Sequence, residues 1–219
     1  MSSGIDQALS IIRKRAKGNE LTYAFVMDCL KGFSKPRDKL TKLLRSGALI
    51  RLKQGFYVFN ELFVRGQICK ELLANLMYGP SYISLEWAMG YYGLIPERVE
   101  GITSVSYKRN KIFDSPLGRF SYFHGHPKRY SIGVTQVEIS PYQKYLIATK
   151  EKALCDLLIM RRGRISSFKS ICEILFEDFR IDEEDLEHFD LGLVKEINRQ
   201  KPHSAIIYLI KVLEKLRNE

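Results

Sequence analysis

The sequence contains a short helix with two chemically opposite sides, and this feature constrains the fold more than any other. Ser34 can cap the helix, and Gly47 ends it. At about 100° per residue, one side is apolar and must face a core. This apolar side consists of Leu40, Leu43 and Leu44. The opposite side and its flanks carry Lys35, Asp38, Lys39, Lys42 and Arg45.

Two further helices precede this segment, and a β-hairpin follows it. The first helix is predicted over Ile5–Lys17, and the second begins after the capping residue Thr22. The strands of the hairpin are predicted at Leu49–Leu52 and Phe56–Phe59. Three short helices followed by a hairpin predict a winged helix-turn-helix domain over residues 1–60.

The chain is basic, and its positive charge is concentrated towards its start. The formal net charge is +10, and residues 1–78 hold 14 Lys and Arg against 6 Asp and Glu. Residues 166–219 hold 8 against 12. A basic front and an acidic tail favour a polyanionic partner at the N-terminal end. Since a recognition helix needs an apolar anchor face and long cationic side chains, we predict that the first domain binds double-stranded DNA.

The candidate DNA-contacting residues lie in the third helix and in the hairpin after it. They are Lys35, Arg37, Lys39, Lys42, Arg45, Arg51 and Lys53. A second interpretation stays open, in which the helix face is merely solvated and Asp38 pairs with Lys42 four residues later. The short turn before the helix and the basic hairpin after it favour DNA binding.

The rest of the chain has a different pattern. We predict a linking helix within residues 61–80 and a second domain over residues 81–219, in which Ser84 caps the first helix. Runs of β-branched and aromatic residues over 102–148 predict strands, and helical periodicity returns from Lys150. Strands grouped between helices predict an α+β fold.

Residues that could support catalysis are present, but they form no recognisable constellation. Glu138, Glu151 and Lys152 are the candidates for a Mg²⁺-dependent nuclease, yet the compact acid-x-lysine on one strand is absent. His124 and His126 alternate along an extended segment, so we expect them to point to opposite faces and not to share a metal. We expect no catalytic residues, no metal and no cofactor, and therefore no enzyme.

The sequence also bears on the compartment. No apolar run approaches the roughly 18–20 residues that cross a bilayer, and the first residues lack the pattern of a secretory signal. The cysteines are widely scattered, without the paired spacing of a zinc ribbon, and lie at Cys29, Cys69, Cys155 and Cys172. We expect a cytoplasmic protein that makes no membrane contact.

Four short blocks in the second domain resemble a known family. The blocks read YISLE at 82–86, YYGLIP at 91–96, ITSV at 102–105 (with KR, PLG and FSY further on), and ATKEKALCDLL at 148–158. In this order and spacing they resemble the AbiEi antitoxins of type IV toxin–antitoxin systems. The predicted winged helix sits where that family keeps its own.

The resemblance implies a protein of two parts. In that family the winged helix binds inverted repeats in its own promoter and represses the operon. The C-terminal domain antagonises a nucleotidyltransferase-like toxin encoded next to it, and a stable complex with the toxin is not required. We therefore expect an autoregulatory repressor and antitoxin with an α+β antitoxin domain. Inverted repeats would suit a dimer on DNA.

One pair of residues in the last block suggests where the antitoxin acts. Asp156 follows Lys152 by four residues, so the two can pair across the surface of a helix. Such an exposed pair contributes only about 0.3–0.5 kcal/mol, so stability is a weak reason to have it. We predict an antitoxicity surface made of this face and a basic hairpin tip, comprising Glu151, Lys152, Asp156, Lys108, Arg109 and Lys111.

Two alternatives remain open on the sequence. In one, the C-terminal domain is an enzyme that modifies the toxin or a nucleic acid, which carboxylates clustered with Lys152 in a deep pocket would favour. In the other, the protein is a plain transcriptional regulator whose second domain dimerises or senses a ligand. A large apolar pocket or a broad symmetric interface would favour this reading.

Overall fold

The computed structural model describes residues 3–64, 66–141, 143–161, 163 and 165–218. These residues form an α+β protein with 47% helix and 22% strand, and the strands lie in two sheets. The α+β prediction is confirmed. Among these residues, no helix is both long enough and apolar enough to cross a membrane.

The N-terminal part combines short helices with a small antiparallel sheet. Its elements are, in chain order, α1 (Ser3–Arg15), β1 (Glu20–Thr22), α2 (Tyr23–Cys29), α3 (Pro36–Arg45), β2 (Leu49–Lys53) and β3 (Phe56–Phe59). The strand order is β1-β3-β2, and β2 with β3 forms the predicted hairpin. Strand β1 is absent from the sequence prediction because three residues are too few to show an alternating pattern.

Local capping explains where these helices begin. The side chain of Thr22 accepts a backbone hydrogen bond in the first turn of α2, as predicted. Ser34 does not cap α3, so that prediction is wrong. The residue before the helix is Lys35, whose side chain makes no cap, and Pro36 fills the first turn, where its missing N–H is tolerated.

The apolar side of α3 packs inward. Leu40 and Leu43 are buried, and Leu44 packs against the same core, which α1, α2 and the small sheet complete. Since this side faces the core, the side that carries the lysines and arginines is directed to solvent.

The larger part is built on a mixed sheet. Its strands are β4 (Ser81–Ile83), β5 (Ile102–Ser106), β6 (Lys111–Ser115), β7 (Gly118–His124), β8 (Val134–Ser140) and β9 (Gln143–Ala148). The described strands are ordered β6-β7-β5-β4-β9-β8, with parallel pairs β5/β7 and β4/β9 and antiparallel pairs elsewhere. Strand β4 was not predicted. It is short and central, and buried along its length, so it shows no alternation of polar and apolar residues.

Helices flank this sheet and follow it. They are α4 (Lys70–Met77), α5 (Leu85–Tyr91), α6 (Lys150–Met160), α7 (Phe168–Cys172), α8 (Glu183–Glu187), α9 (Leu191–Gln200) and α10 (Ser204–Leu216). The linking helix is shorter than predicted, because a 3₁₀ turn at Glu61–Phe63 precedes α4. Ser84 is the N-cap residue of α5, as predicted, but its side chain makes no capping hydrogen bond and its hydroxyl donates to Asp156 instead. The predicted helix from Lys150 is confirmed, whereas α9 was not predicted.

The hairpin of the N-terminal part contributes to the core of the larger part. Leu52, Phe56 and Val58 belong to that larger core and not to the core beneath α1–α3. Strand β2 also contacts β6. The two parts of the chain are therefore joined by packed apolar side chains as well as by the backbone.

Candidate functional site

The polar side of α3 is exposed and positively charged. Lys35, Arg37, Lys42 and Arg45 are exposed, Lys39 is half-buried, and Arg51 of β2 is exposed beside them. Within the described parts of the chain, none of these six side chains forms an ion pair. Together they define the cationic surface, consisting of Lys35, Arg37, Lys39, Lys42, Arg45 and Arg51.

The alternative in which Asp38 neutralises Lys42 does not match the geometry. No ion pair joins these two side chains among the described residues. Lys39 places its ammonium group 5.1 Å from the centre of the Phe33 ring, which leaves its charge available to a further partner. The cationic surface therefore keeps its positive charge towards solvent.

Tyr23 links α2 to the cationic surface, and sequence reasoning missed it. Its hydroxyl accepts a hydrogen bond from Nε of Arg37 at 3.2 Å. Its backbone N–H donates to the carbonyl of Gly55 in the hairpin turn at 2.9 Å. A recess of about 620 Å³ lies against Tyr23, Arg37 and Arg51. The available signal was a large aromatic residue directly after the capping Thr22, and its side chain is 38% exposed.

Lys53 does not join the cationic surface. Its Nζ lies 5.9 Å from the centre of the Phe113 ring in β6. Burial, and then the neighbouring charge of Lys108, lower the pKa of Lys53. The pairing of β2 with β3 shifts register between Arg51 and Lys53, and such a bulge sends the two side chains in different directions. Lys53 thus faces the larger part of the protein.

The predicted basic tip lies at this junction. Lys108, Arg109 and Lys111 are exposed, as an interaction surface requires. The ammonium group of Lys108 lies 5.2 Å from the Tyr78 ring centre, and that of Lys111 lies 5.7 Å from the Phe113 ring centre. The tip and Lys53 therefore form one cationic group over two aromatic rings.

The other half of the predicted antitoxicity surface is not on the surface. Glu151, Lys152 and Asp156 are only 6%, 1% and 4% exposed, so the expectation of an exposed face on this helix is wrong. Helix α6 packs against α5, α9, α10 and β9, and these neighbours cover it. The predicted Lys152–Asp156 pair itself is confirmed, with Nζ and Oδ1 2.9 Å apart.

The buried charges of α6 are held by specific partners. Oδ2 of Asp156 accepts hydrogen bonds from the hydroxyls of Tyr82 and Ser84, each at 2.9 Å. Nζ of Lys152 also donates to the carbonyl oxygen of Arg129 at 3.0 Å. Burial, and then Asp156, raise the pKa of Tyr82 well above its ordinary value, which keeps its hydroxyl a donor. We call Lys152, Asp156, Tyr82 and Ser84 the α6 cluster.

A cavity of about 210 Å³ adjoins the α6 cluster. Its histidine and charged lining residues are His124, His126, Arg129, Lys152, Asp156 and Lys201. The two histidines share this cavity, contrary to the expectation that they point to opposite faces. Strand β7 ends at His124, and the Gly125 N–H donates to the Ser106 carbonyl at 2.7 Å, so the alternation of a strand does not continue.

The residues considered for nuclease chemistry are not assembled. Glu138 pairs with Lys144 on the surface of the outer strands at 2.7 Å. Glu151 accepts a hydrogen bond from the backbone N–H of Asp190 at 3.0 Å, and this bond connects α6 to the start of α9. Over the residues that the structure describes, no three His, Cys, Asp or Glu side chains are grouped to hold a metal ion.

No family model matches the chain, and no curated protein matches it either. The resemblance to AbiEi antitoxins therefore depends on the sequence blocks alone.

Proposed function

We propose that this protein is a DNA-binding transcriptional regulator whose N-terminal part acts as a winged helix-turn-helix. The observation that carries the proposal is the cationic surface, whose six basic side chains lie at the start of α3, along α3 and on β2 and form no ion pair with the residues that the structure describes. Unpaired surface cations on one helix face are what counter-ion release from a DNA backbone requires.

In this mode of binding, α3 enters the major groove and the hairpin follows the backbone. Lys42 and Arg45 on the outer face of α3 reach base edges or phosphates. The hydrogen bond from Arg37 to Tyr23 fixes one guanidinium group, and Arg51 supplies a second one across the recess. Lys53 is left out, because it faces β6.

The test is DNA binding by a variant that carries Lys35→Ala, Lys42→Ala and Arg45→Ala. Its affinity for a duplex from upstream of its own coding sequence should fall, and the slope of log affinity against log salt should drop by about 1 for each of the three side chains that contacts a phosphate. Arg199→Gln is the matched control, because it removes an exposed positive charge from α9, away from the cationic surface. Wild-type affinity and slope in the triple variant would remove α3 from the interface.

We further propose the AbiEi role, in which the protein represses its own promoter and antagonises a nucleotidyltransferase-like toxin. The support is the order of the sequence blocks and the exposed tip of Lys108, Arg109 and Lys111. In this proposal the tip alone forms the antitoxicity surface, and the α6 cluster stabilises the fold behind it.

A growth-rescue assay, with the neighbouring gene supplied as the toxin, tests this role of the tip. The variant has all three tip residues changed to Ala. Full rescue by that folded variant would exclude the tip.

A second candidate function is that of a ligand-sensing regulator. The observation in its favour is the cavity beside the α6 cluster. Its lining includes several basic side chains and is small, unlike the large apolar pocket that the sequence associates with sensing. This alternative predicts a small molecule that changes DNA affinity, whereas the antitoxin role predicts rescue without any added ligand.

A further inference from the structure

The cavity beside the α6 cluster is formed by segments that are distant in sequence. His124 and His126 come from the end of β7, Arg129 from the 3₁₀ turn at Pro127–Arg129, and Lys201 from the residue after α9. Lys152 and Asp156 of α6 form its inner wall. The other ion-pair partners among the described residues are exposed, whereas Lys152, Asp156 and Arg129 of this lining are buried.

Arg129 is the unusual member of this group. Its side chain is buried, with 6% of the residue exposed, and its Nη1 atom has no hydrogen-bond partner in the described structure. A buried donor without an acceptor destabilises the folded state, and more strongly when it is charged. A group that accepts hydrogen bonds from within the cavity would remove this cost.

The charges of the lining do not cancel. Lys152 and Asp156 neutralise each other through their ion pair, which leaves the guanidinium of Arg129 and the ammonium of Lys201. The pKa of His126 is lowered by partial burial and then by the charges of Lys201 and Arg129. The positive charge of these two side chains therefore acts on His126. Apart from the histidines, the lining therefore carries two uncompensated positive charges.

Glycines fix the walls of the cavity in place. Gly133 has a φ of +70°, and a Cβ there would lie 2.8 Å from Cβ of Lys152. A Cβ on Gly125 would lie 2.4 Å from Cγ1 of Val105. Any side chain at either position would push the segments that carry Lys152 and the two histidines away from their neighbours. The basic groups are thus held close together by tight backbone packing.

We propose that this cavity binds the phosphoryl group of a small phosphate or phosphate monoester. Such a group carries a charge of about −1.5 to −2 near neutral pH and three acceptor oxygens, which matches two uncompensated cations and a free guanidinium donor. A carboxylate would leave one charge unmatched. The volume of about 210 Å³ is below the roughly 300–1,000 Å³ of sites that enclose a whole drug-sized ligand. In this proposal the cavity holds the phosphoryl group, and any organic remainder extends outward past the exposed Lys201.

Calorimetric titration of the full chain tests this proposal in a buffer free of phosphate and sulfate. The probes are inorganic phosphate, ribose 5-phosphate and acetate. Saturable binding of at least one phosphate probe is expected, with acetate binding about tenfold more weakly or not at all. Equal affinity for the two phosphates would identify the free anion as the ligand. Tighter binding of ribose 5-phosphate would identify an ester.

Three variants complete the test. Arg129→Gln should weaken phosphate binding by about tenfold or more, because it removes a charge-assisted hydrogen bond. Lys201→Gln, at an exposed position, should also weaken phosphate binding. If a thermal melt shows that Arg129→Gln does not fold, Lys201→Gln alone tests whether the cavity binds phosphate. Lys128→Gln is the matched control, since it removes an exposed charge next to Arg129 that does not line the cavity. The proposal is overturned if neither phosphate binds saturably, or if the folded cavity variants bind like the control.

Discussion

The cationic surface and the α6 cluster use charged side chains in opposite ways. On the cationic surface, six basic groups lie at or near the solvent boundary without ion pairs among the described residues. In the α6 cluster, Lys152 and Asp156 are almost fully buried and each has several partners within the protein. The first set is available to another molecule, and the second is committed to the fold.

This difference separates binding from stability. Removing an exposed, unpaired charge leaves nothing unsatisfied inside the protein, so it should change affinity and leave the melting temperature nearly unchanged. Removing one member of a buried pair leaves the other charge without compensation. Arg129 belongs to neither set, since it is buried and its Nη1 has no hydrogen-bond partner among the described residues.

The largest expected effect is that of Asp156→Ala on stability. The change leaves Lys152 buried without its carboxylate and removes the acceptor of Tyr82 and Ser84. We expect a loss of about 3–5 kcal/mol in the free energy of unfolding and a fall in melting temperature of about 10 °C or more. The control is Glu138→Ala, whose exposed pair with Lys144 contributes about 1 kcal/mol or less. Equal melting temperatures for the two variants would contradict the claim that the buried Lys152–Asp156 pair stabilises the fold more than an exposed pair does.

A smaller effect distinguishes two basic residues of the same strand. Arg51→Ala should lower the slope of log DNA affinity against log salt by about 1, because Arg51 lines the recess of the cationic surface. Lys53→Ala should leave that slope unchanged, because Lys53 lies over Phe113. The two variants remove comparable side chains two residues apart, so each controls for the other. An equal loss of slope in both would place Lys53 on the DNA as well.

The smallest expected effect comes from Tyr23→Phe. Loss of the hydroxyl removes the acceptor that holds Nε of Arg37 and should weaken DNA binding by about 2–10-fold with no change in melting temperature. In an Arg37→Ala background the same substitution should have no further effect on affinity. An undiminished effect in that background would show that Tyr23 acts independently of Arg37.

Sequence reasoning succeeded where the determinant is local. The faces of α3 follow from periodicity, and the Lys152–Asp156 pair follows from a spacing of four residues. The burial of that pair could not be inferred in the same way, because it depends on α5, α9 and α10 packing around α6. Strand β1 and the divergence of Arg51 and Lys53 likewise depend on pairing partners and a change of register.

The cavity was the least predictable feature. Its basic lining comes from three separate segments, and no local pattern relates His124 and Arg129 to Lys152 and Lys201. The sequence shows only ordinary basic residues at these positions. What makes them a group is the sheet topology and the close backbone contacts at Gly125 and Gly133.

The hairpin cannot unfold without disturbing the larger core, because three of its side chains are part of that core. They are Leu52, Phe56 and Val58. Each such side chain contributes about 1.5–3 kcal/mol when it leaves water, so β2 and β3 are not free to fray on their own. Backbone amides of β3 should therefore exchange with solvent hydrogen only through near-global unfolding, whereas those of α1 should exchange through local opening. A polypeptide cut after residue 60 would carry these three apolar side chains into water, and we expect it to self-associate.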